Sequence, residues 1–556
     1  MSEPQRPLMF HLVIGLLQGL LLVLFLSSDA PATTLGYFTC AAAAVWAVVL
    51  QLLGPHGLRR STLLMALGLG ALVGGLSAYS REAMDVTPLR DTLVLGMLVL
   101  SYMATAFILA WADRKGLRPR YEDLVRHAWN NVFIVLLALL LVGVFWALLA
   151  MCGALFKVVG ITLVEQALDN RILLMLVLPM VFSLGMRIGL QNEKVISLLR
   201  GLLLAACRFL LPLSATIAVM FTLVLPFTGV APIWATGQAS AILLALTVFN
   251  LFLVNGVFQD GPPAATYPKV LRRLADASLL VSPILVALAG WSSGVRIAQY
   301  GLTPLRLLAV LLVGLMLLHT LAAAWAVLDR RGSWLSRLRV SNPWVALLTG
   351  LMIVAYQSPL LDPLGLSARN QVARVLDGRT PVADFNADAL LHLFGAPGRE
   401  AFEGLERQLE AGTVLDEPGR EALRQRLQAA REPNEHPAAP KLEWLGAEPG
   451  DSTTVIERIL AEWSCREGCY LWALDMDGDG HDEVLAIPRQ RYTTGVLLFA
   501  LREGVWVKVG QYDSLSLESD HAELVKKIRA GEIAPVTPRY KTFMTDQREW
   551  MFQPEP

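Results

Sequence analysis

The stretch ALDMDGDGHDEVLA, residues 473–486, sets Asp475, Asp477 and Asp479 at alternate positions, followed by Gly480, His481 and Glu483. Carboxylates at the first, third and fifth positions of such a loop converge on one hard cation. A glycine at the sixth makes the sharp turn that lets them do so, the seventh offers its backbone carbonyl, and the ninth offers a carboxylate directly or through water. The expected chemistry is therefore a structural Ca2+ site held by Asp475, Asp477, Asp479, the His481 carbonyl and Glu483. The alternative is an ion-free acidic turn whose Asp side chains bond their own backbone. Nothing nearby spells a paired acid and base, so no catalytic role is read here. Just upstream, Cys465 and Cys469 in CREGC are spaced for a small local disulfide in an oxidising compartment, the alternative being two reduced thiols. A lone C-x-x-x-C is a poor zinc site.

The elements around the loop are strands. YLWAL precedes it and EVLAIP follows, GVLLFAL and VWVKVG continue the pattern, and Gly504 in LREGVW marks a hairpin turn. Helical periodicity appears in TTVIERILAEW and in ESDHAELVKKIRAG. Residues 441–556 thus read as one small α+β domain around a three- or four-stranded antiparallel sheet. With strands on both sides, and Ala486 where a helix–loop–helix calcium site wants a bidentate Glu, the loop resembles the strand–loop–strand calcium hairpins of the FG-GAP type. A single copy excludes a propeller.

A second set of residues lies far upstream. Arg296, Tyr300, Thr303 and Arg306 fall within RIAQYGLTPLR. Gly301 and Pro304 punctuate this run, with Thr303 placed to cap a helix whose first residue is Pro304. The four would gather at a membrane interface, either as headgroup-level anchors, as Tyr and Arg commonly are, or as a site for an anionic headgroup or substrate.

What must position that set is a membrane. The chain is 54% hydrophobic and only 17% charged, against about 25% charged in soluble domains. Residues 1–365 hold 25 Lys and Arg against 15 Asp and Glu, and residues 366–556 hold 22 against 32, so two regions with different solvents are joined. Apolar runs long enough to cross a bilayer, roughly 20 residues each, occur near 8–27, 35–53, 62–79, 91–111, 131–152, 172–190, 201–226, 237–258, 277–292, 303–327 and 344–358. The fold class is a polytopic α-helical membrane protein of about 11 transmembrane helices with a small soluble C-terminal α+β domain. Residues 366–440 supply amphipathic helices and a Pro-rich linker between the two. The first run exceeds the usual signal-peptide core of about 7–15 residues and is read as a retained span. GALFKVVGITLVEQAL, after the fifth run, suggests an interfacial helix.

Orientation follows from the basic residues, which concentrate in cytoplasmic loops. With the N-terminus inside, the inside segments hold 17 Lys and Arg and the outside loops six. An odd number of spans then puts the C-terminal domain in the periplasm, where calcium at about 10⁻⁴–10⁻³ M fills extracellular-type sites. Arg187, Arg208, Asn250, Asn255 and His319 lie in or near the apolar runs. They read either as snorkelling or inter-helix hydrogen-bonding groups or as a transport pathway. The remaining cysteines, Cys40, Cys152 and Cys207, lie in the apolar runs and read as small packing residues.

Four stretches carry a resemblance: RHAWNN (126–131), ALFKVVGI (154–161), RIAQYGLTPLR (296–306) and DPLGLSARNQVARVLDGRTP (362–381). They are similar to a bacterial family of multi-pass membrane proteins called domain of unknown function 4153. The resemblance implies an integral inner-membrane protein with no assigned reaction, so no catalytic residues transfer. The leading expectation is an inner-membrane protein that displays a calcium-stabilised periplasmic domain for envelope recognition or sensing. Its partners would be the bilayer and an envelope component or anionic headgroup. A transporter or lipid-handling protein is the main alternative. An intramembrane transferase is disfavoured, since Asp29, Glu82, Asp85, Asp91, Glu165 and Asp169 are the only acidic residues in the outside loops. Nucleic acid is not expected as a partner, because the basic residues anchor loops and the tail is acidic.

Overall fold

The apolar runs form helices, which satisfy every backbone N–H and C=O within the segment, as a lipid environment demands. The computed structural model describes residues 5–26, 33–55, 57–81, 87–114, 120–160, 163–235, 238–258, 267–329, 334–412, 414–431, 442–448, 452–460, 465, 468–488, 496–502, 505–512, 521–533, 543–545 and 548–550. The chain divides into two compact units, Met1–Leu427 and Gln428–Pro556.

The first unit is helical. Its elements are α1 (Gln5–Leu26), α2 (Thr34–Leu53), α3 (Arg60–Tyr79), α4 (Thr87–Arg114), α5 (Tyr121–Val158), the short α6 (Leu163–Asp169), α7 (Arg171–Gln191) and α8 (Glu193–Thr228). There follow the short α9 (Ala231–Ala235), α10 (Ala239–Phe258), α11 (Lys269–Tyr300), α12 (Pro304–Leu328), α13 (Leu338–Tyr356), α14 (Pro363–Leu376), α15 (Gly395–Glu410) and α16 (Glu417–Arg431), whose last residues pass into the second unit. Among the described residues, ten helices have the length and hydropathy to cross a membrane, and α1 adds a shorter apolar stretch, Leu8–Leu24. This is the architecture of a multi-pass membrane protein.

Several helices outrun the apolar runs that mark them. The 38 residues of α5 start at Tyr121 and extend about 57 Å at 1.5 Å per residue, well beyond a hydrocarbon core of roughly 30 Å. Hydropathy registers only the lipid-facing part, whereas the helix continues wherever polar residues still find partners. The segment expected to be interfacial is split between the exposed end of α5 and α6, with residues 161–162 outside the described set.

Small residues let the helices approach. A Cβ added at Gly15 of α1 would stand 2.8 Å from Ser183 Oγ of α7, and one at Gly19 would stand 2.7 Å from the Met175 carbonyl. A Cβ added at Gly256 of α10 would likewise stand 2.7 Å from Cys207 Sγ of α8, and the buried Cys207 packs there as a small residue. Such small-residue contacts are how helices associate where hydrophobic burial offers no drive between them.

Polar side chains inside the bundle bond to one another. Asn250 accepts from Ser214 Oγ at 3.2 Å and donates to Ser278 Oγ at 3.0 Å, joining α8, α10 and α11. Asn342 Nδ2 donates to Asn255 Oδ1 at 2.7 Å and to the Tyr121 hydroxyl at 2.8 Å, and His319 Nε2 lies 3.3 Å from Asn342 Oδ1. Arg187 and Arg208 bury their Nε atoms with no hydrogen-bond partner among the described residues.

The second unit is built on a five-stranded sheet of β1 (Glu443–Trp444), β2 (Cys469–Leu474), β3 (Glu483–Pro488), β4 (Val496–Arg502) and β5 (Val505–Tyr512), in that spatial order. β1 pairs parallel with β2 and the other pairs are antiparallel. The two-residue β1 is the strand beyond the three or four expected, too short to carry a periodicity. Alternation along the strands gives each face its own core. Leu471, Val484, Ala486, Leu497 and Phe499 pack with Val455 and Ile459 of α17 (Ser452–Leu460). Ile487 and Val496 pack with Val525 and Ile528 of α18 (His521–Arg529). Burial on both faces is why EVLAIP reads as a nearly unbroken apolar run. A further hairpin pairs β6 (Phe543–Thr545) with β7 (Arg548–Trp550). The Gly504 turn and the Pro-rich stretch 432–440 lie outside the described residues.

Candidate functional site

Two places gather the residues singled out by chemistry. The first is the β2–β3 connection. The ladder runs from Cys469 opposite Pro488 to Leu474 opposite Glu483, which leaves residues 475–482 as a tight loop at its end. One carboxylate oxygen each from Asp475, Asp477 and Glu483 lies within 4.8 Å of the others. The loop is shaped by its own side chains. Asp475 accepts from the Gly478 N–H at 2.7 Å and the Gly480 N–H at 3.1 Å, and Glu483 accepts from the Met476 N–H at 2.7 Å. Gly480 takes φ +87°, a conformation open to glycine at little cost. Asp479 stands outside the group of three, its carboxylate accepting the His481 N–H at 2.8 Å. Ala486 is fully buried in the sheet core, so the twelfth loop position faces hydrophobic packing rather than an ion. Ahead of β2, Cys465 and Cys469 are joined in a disulfide with Cα atoms 5.3 Å apart, and both are fully buried.

The second place is the turn between α11 and α12. Thr303 caps α12, its Oγ1 accepting the Arg306 N–H at 3.4 Å, with Pro304 in the first helical position. Gly301 ends α11 at φ +75° and ψ −179°. The exposed carbonyls of the α11 terminus are all taken by side chains. Arg374 of α14 donates to the carbonyls of Ala298 at 3.0 Å and Gln299 at 2.8 Å. Arg306 Nη1 donates to Tyr300 O at 3.1 Å and Gly301 O at 2.7 Å, and Gln371 Nε2 donates to Tyr300 O at 3.2 Å and Leu302 O at 2.9 Å. Asn370 Oδ1 accepts the Leu302 N–H at 2.7 Å. Cations at a helix C-terminus complement its partial negative charge, which explains how the buried Arg374 is tolerated without an ion pair. Arg306 also lies over the Tyr300 ring, 5.6 Å from its centre.

This turn forms one wall of a cleft of about 600 Å³. Tyr300, Thr303 and Arg306 line it together with Gln371, Arg379, Thr380, Asp384 and Asn386. Arg296, one helical turn before Tyr300, is exposed and does not line it, although its charge acts on Arg306, as does that of Arg374. Sequence reasoning missed Arg374, Gln371 and Arg379. The signal was present, since all three lie within DPLGLSARNQVARVLDGRTP, but nothing local says that this stretch folds against residues 298–302.

A family model described as Domain of unknown function (DUF4153) matches residues 15–396, more than half of the chain. The chain belongs to this family. The DUF4153 region contains the whole α11–α12 cleft, while the carboxylate loop and the disulfide lie beyond it. No curated protein and no solved structure matches the chain.

The family stretches have defined places. In RHAWNN, Arg126 Nη2 and His127 Nε2 both reach Asp113 Oδ2, at 2.6 and 2.9 Å, and Asn130 accepts from Arg200 at 3.2 Å, tying α5 to α4 and α8. ALFKVVGI forms the exposed end of α5, where Val158 and Val159 are largely uncovered, and its last residue, 161, is outside the described set. Of the acidic candidates for transferase chemistry, Asp91 pairs with its neighbour Arg90 at 3.4 Å and Asp169 is exposed at the end of α6. Asp29, Glu82, Asp85 and the Glu165 side chain lie outside the described residues.

Proposed function

We propose that this DUF4153 protein is a bacterial inner-membrane protein that displays, on its periplasmic side, a small domain stabilised by calcium and used for envelope recognition or sensing. The observation that carries the reading is the convergence of Asp475, Asp477 and Glu483 within 4.8 Å at the tip of the β2–β3 hairpin. Calcium–oxygen distances of 2.3–2.6 Å let oxygens on opposite sides of one ion stand about that far apart, so the three carboxylates fit a cation between them. Loop carbonyls, that of His481 among them, and water would complete its coordination. The Cys465–Cys469 disulfide supports an oxidising compartment. The 22 residues of α1 and its close packing on α7 support counting it as a span, which makes the total odd.

Two measurements test this reading. Reporters active only in the periplasm or only in the cytoplasm, fused to the C-terminus, should give the periplasmic signal. Full-length protein should unfold its tail later when calcium replaces a chelator, by about 1–3 kcal/mol at saturating ion, and Asp475→Asn should abolish the gain. A cytoplasmic reporter signal, or a melt indifferent to calcium, overturns it.

A lipid-handling role is the second reading, favoured by a shallow, open apolar groove of about 470 Å³ along α1, α2, α5 and α7, with Gln18 and Arg171 among its lining residues. Deleting the tail would then leave residual function.

A further inference from the structure

We propose that the cleft at the α11–α12 turn binds a phosphate-bearing anion at the membrane boundary. The cleft lies wholly within the helical unit, so the site does not depend on the tail.

Arg306 is held in place through Nη1, which is bonded to two carbonyls, whereas its Nε and Nη2 make no hydrogen bond with any described residue. That edge of a guanidinium presents two parallel N–H groups, the fork that matches the oxygens of phosphate. Among the described residues, neither Arg306 nor the buried Arg374 forms an ion pair, so neither charge is neutralised by direct contact with a carboxylate. The N-terminus of α12, at Thr303, adds the positive end of a 25-residue helix to the same wall. The negative end of α11 has meanwhile been covered by Arg374, Arg306 and Gln371.

Neutral donors stand beside this charge, with Thr303, Thr380 and Asn386 on the lining, whereas both N–H groups of the lining Gln371 are already given to carbonyls. Arg379 adds a second guanidinium, paired with Asp377 at 2.6 Å and largely exposed. One lining carboxylate, Asp384, opposes an anion. The volume falls within the range of about 300–1,000 Å³ usual for small-molecule sites. Because α11 and α12 are both membrane-crossing candidates, their turn stands at headgroup level, where phosphate is supplied either by a phospholipid or by a soluble phosphate ester.

The test titrates full-length protein in detergent with phosphatidylglycerol, phosphatidylcholine and glycerol phosphate, with bound ligand counted by native mass spectrometry. Phosphatidylglycerol should bind more tightly than the zwitterionic phosphatidylcholine. Arg306→Gln should weaken it about ten- to a hundredfold, the loss expected for a charged hydrogen bond. Asp384→Asn should tighten it about two- to fivefold by removing the opposing charge. That gain cannot arise from misfolding, so it holds even where Arg306→Gln disturbs the turn. Competition by glycerol phosphate identifies a soluble phosphate ester as sufficient, and its failure to compete assigns the site to lipid. Equal binding of the two lipids, or phosphatidylglycerol binding unchanged in both variants, overturns the proposal.

Discussion

Gly301 shows how much one residue carries at this turn. Its φ of +75° with ψ of −179° belongs to a region that is essentially glycine's alone. An added Cβ would stand 2.7 Å from both Arg374 Cδ and Gln371 Nε2. Gly301→Ala is expected to cost about 2–4 kcal/mol, combining backbone strain with overpacking, and to lower the melting temperature of the protein in detergent. A melt unchanged by this substitution would mean that α14 does not hold the α11 terminus. The need for a glycine here was legible as a break in YGLTPLR. The second reason, two side chains arriving from about 70 positions further along the chain, was not.

At the scale of elements, Asn342 is the junction among four helices. Through it α13 reaches Asn255 on α10, Tyr121 on α5 and His319 on α12. Asn342→Leu removes these inter-helix bonds and should lower stability by about 1–2 kcal/mol, near the upper range for a polar contact between membrane helices. Thermal unfolding in detergent checks this, and a neutral result would show that the three partners re-pair without Asn342. His319 and Asn255 drew attention as polar residues in apolar runs. Asn342 did not, because the apolar run starts near residue 344 whereas α13 itself starts at Leu338. The same effect hides the polar beginnings of α5 and α11, where hydropathy ends but the helix does not.

At the scale of the whole chain, the change of composition near residue 365 and the division between units near residue 427 are different boundaries. The first marks where lipid-facing sequence stops. The second marks where packing stops, because α14 binds the end of α11 through Gln371 and Arg374 and the turn after it through Asn370, and α15 packs with α14. Each unit has its own hydrophobic core. A protein truncated after Leu427 should therefore remain folded in detergent, with the helical unit melting as in the full chain and phosphatidylglycerol binding intact. Aggregation of the truncated chain, with the full-length protein well behaved, would show that the helical unit depends on the tail.

What local pattern controls was written in short stretches of the chain. Apolar runs of the right length became helices, Thr303 and Pro304 began α12, and alternating Asp residues with Gly480 formed a loop between two strands whose register brings Glu483 back beside Asp475. These features are encoded within a few residues of where they act, by periodicity, capping and backbone preference. That Arg374 and Gln371 close the end of α11, that Arg306 keeps one edge unbonded beside a cleft, and that Asn342 links three other helices came from the folded bundle. Those outcomes depend on which distant segments meet. The meeting is set by shape and by the need to satisfy every carbonyl and buried polar group, a condition on the whole fold that no single stretch of residues states.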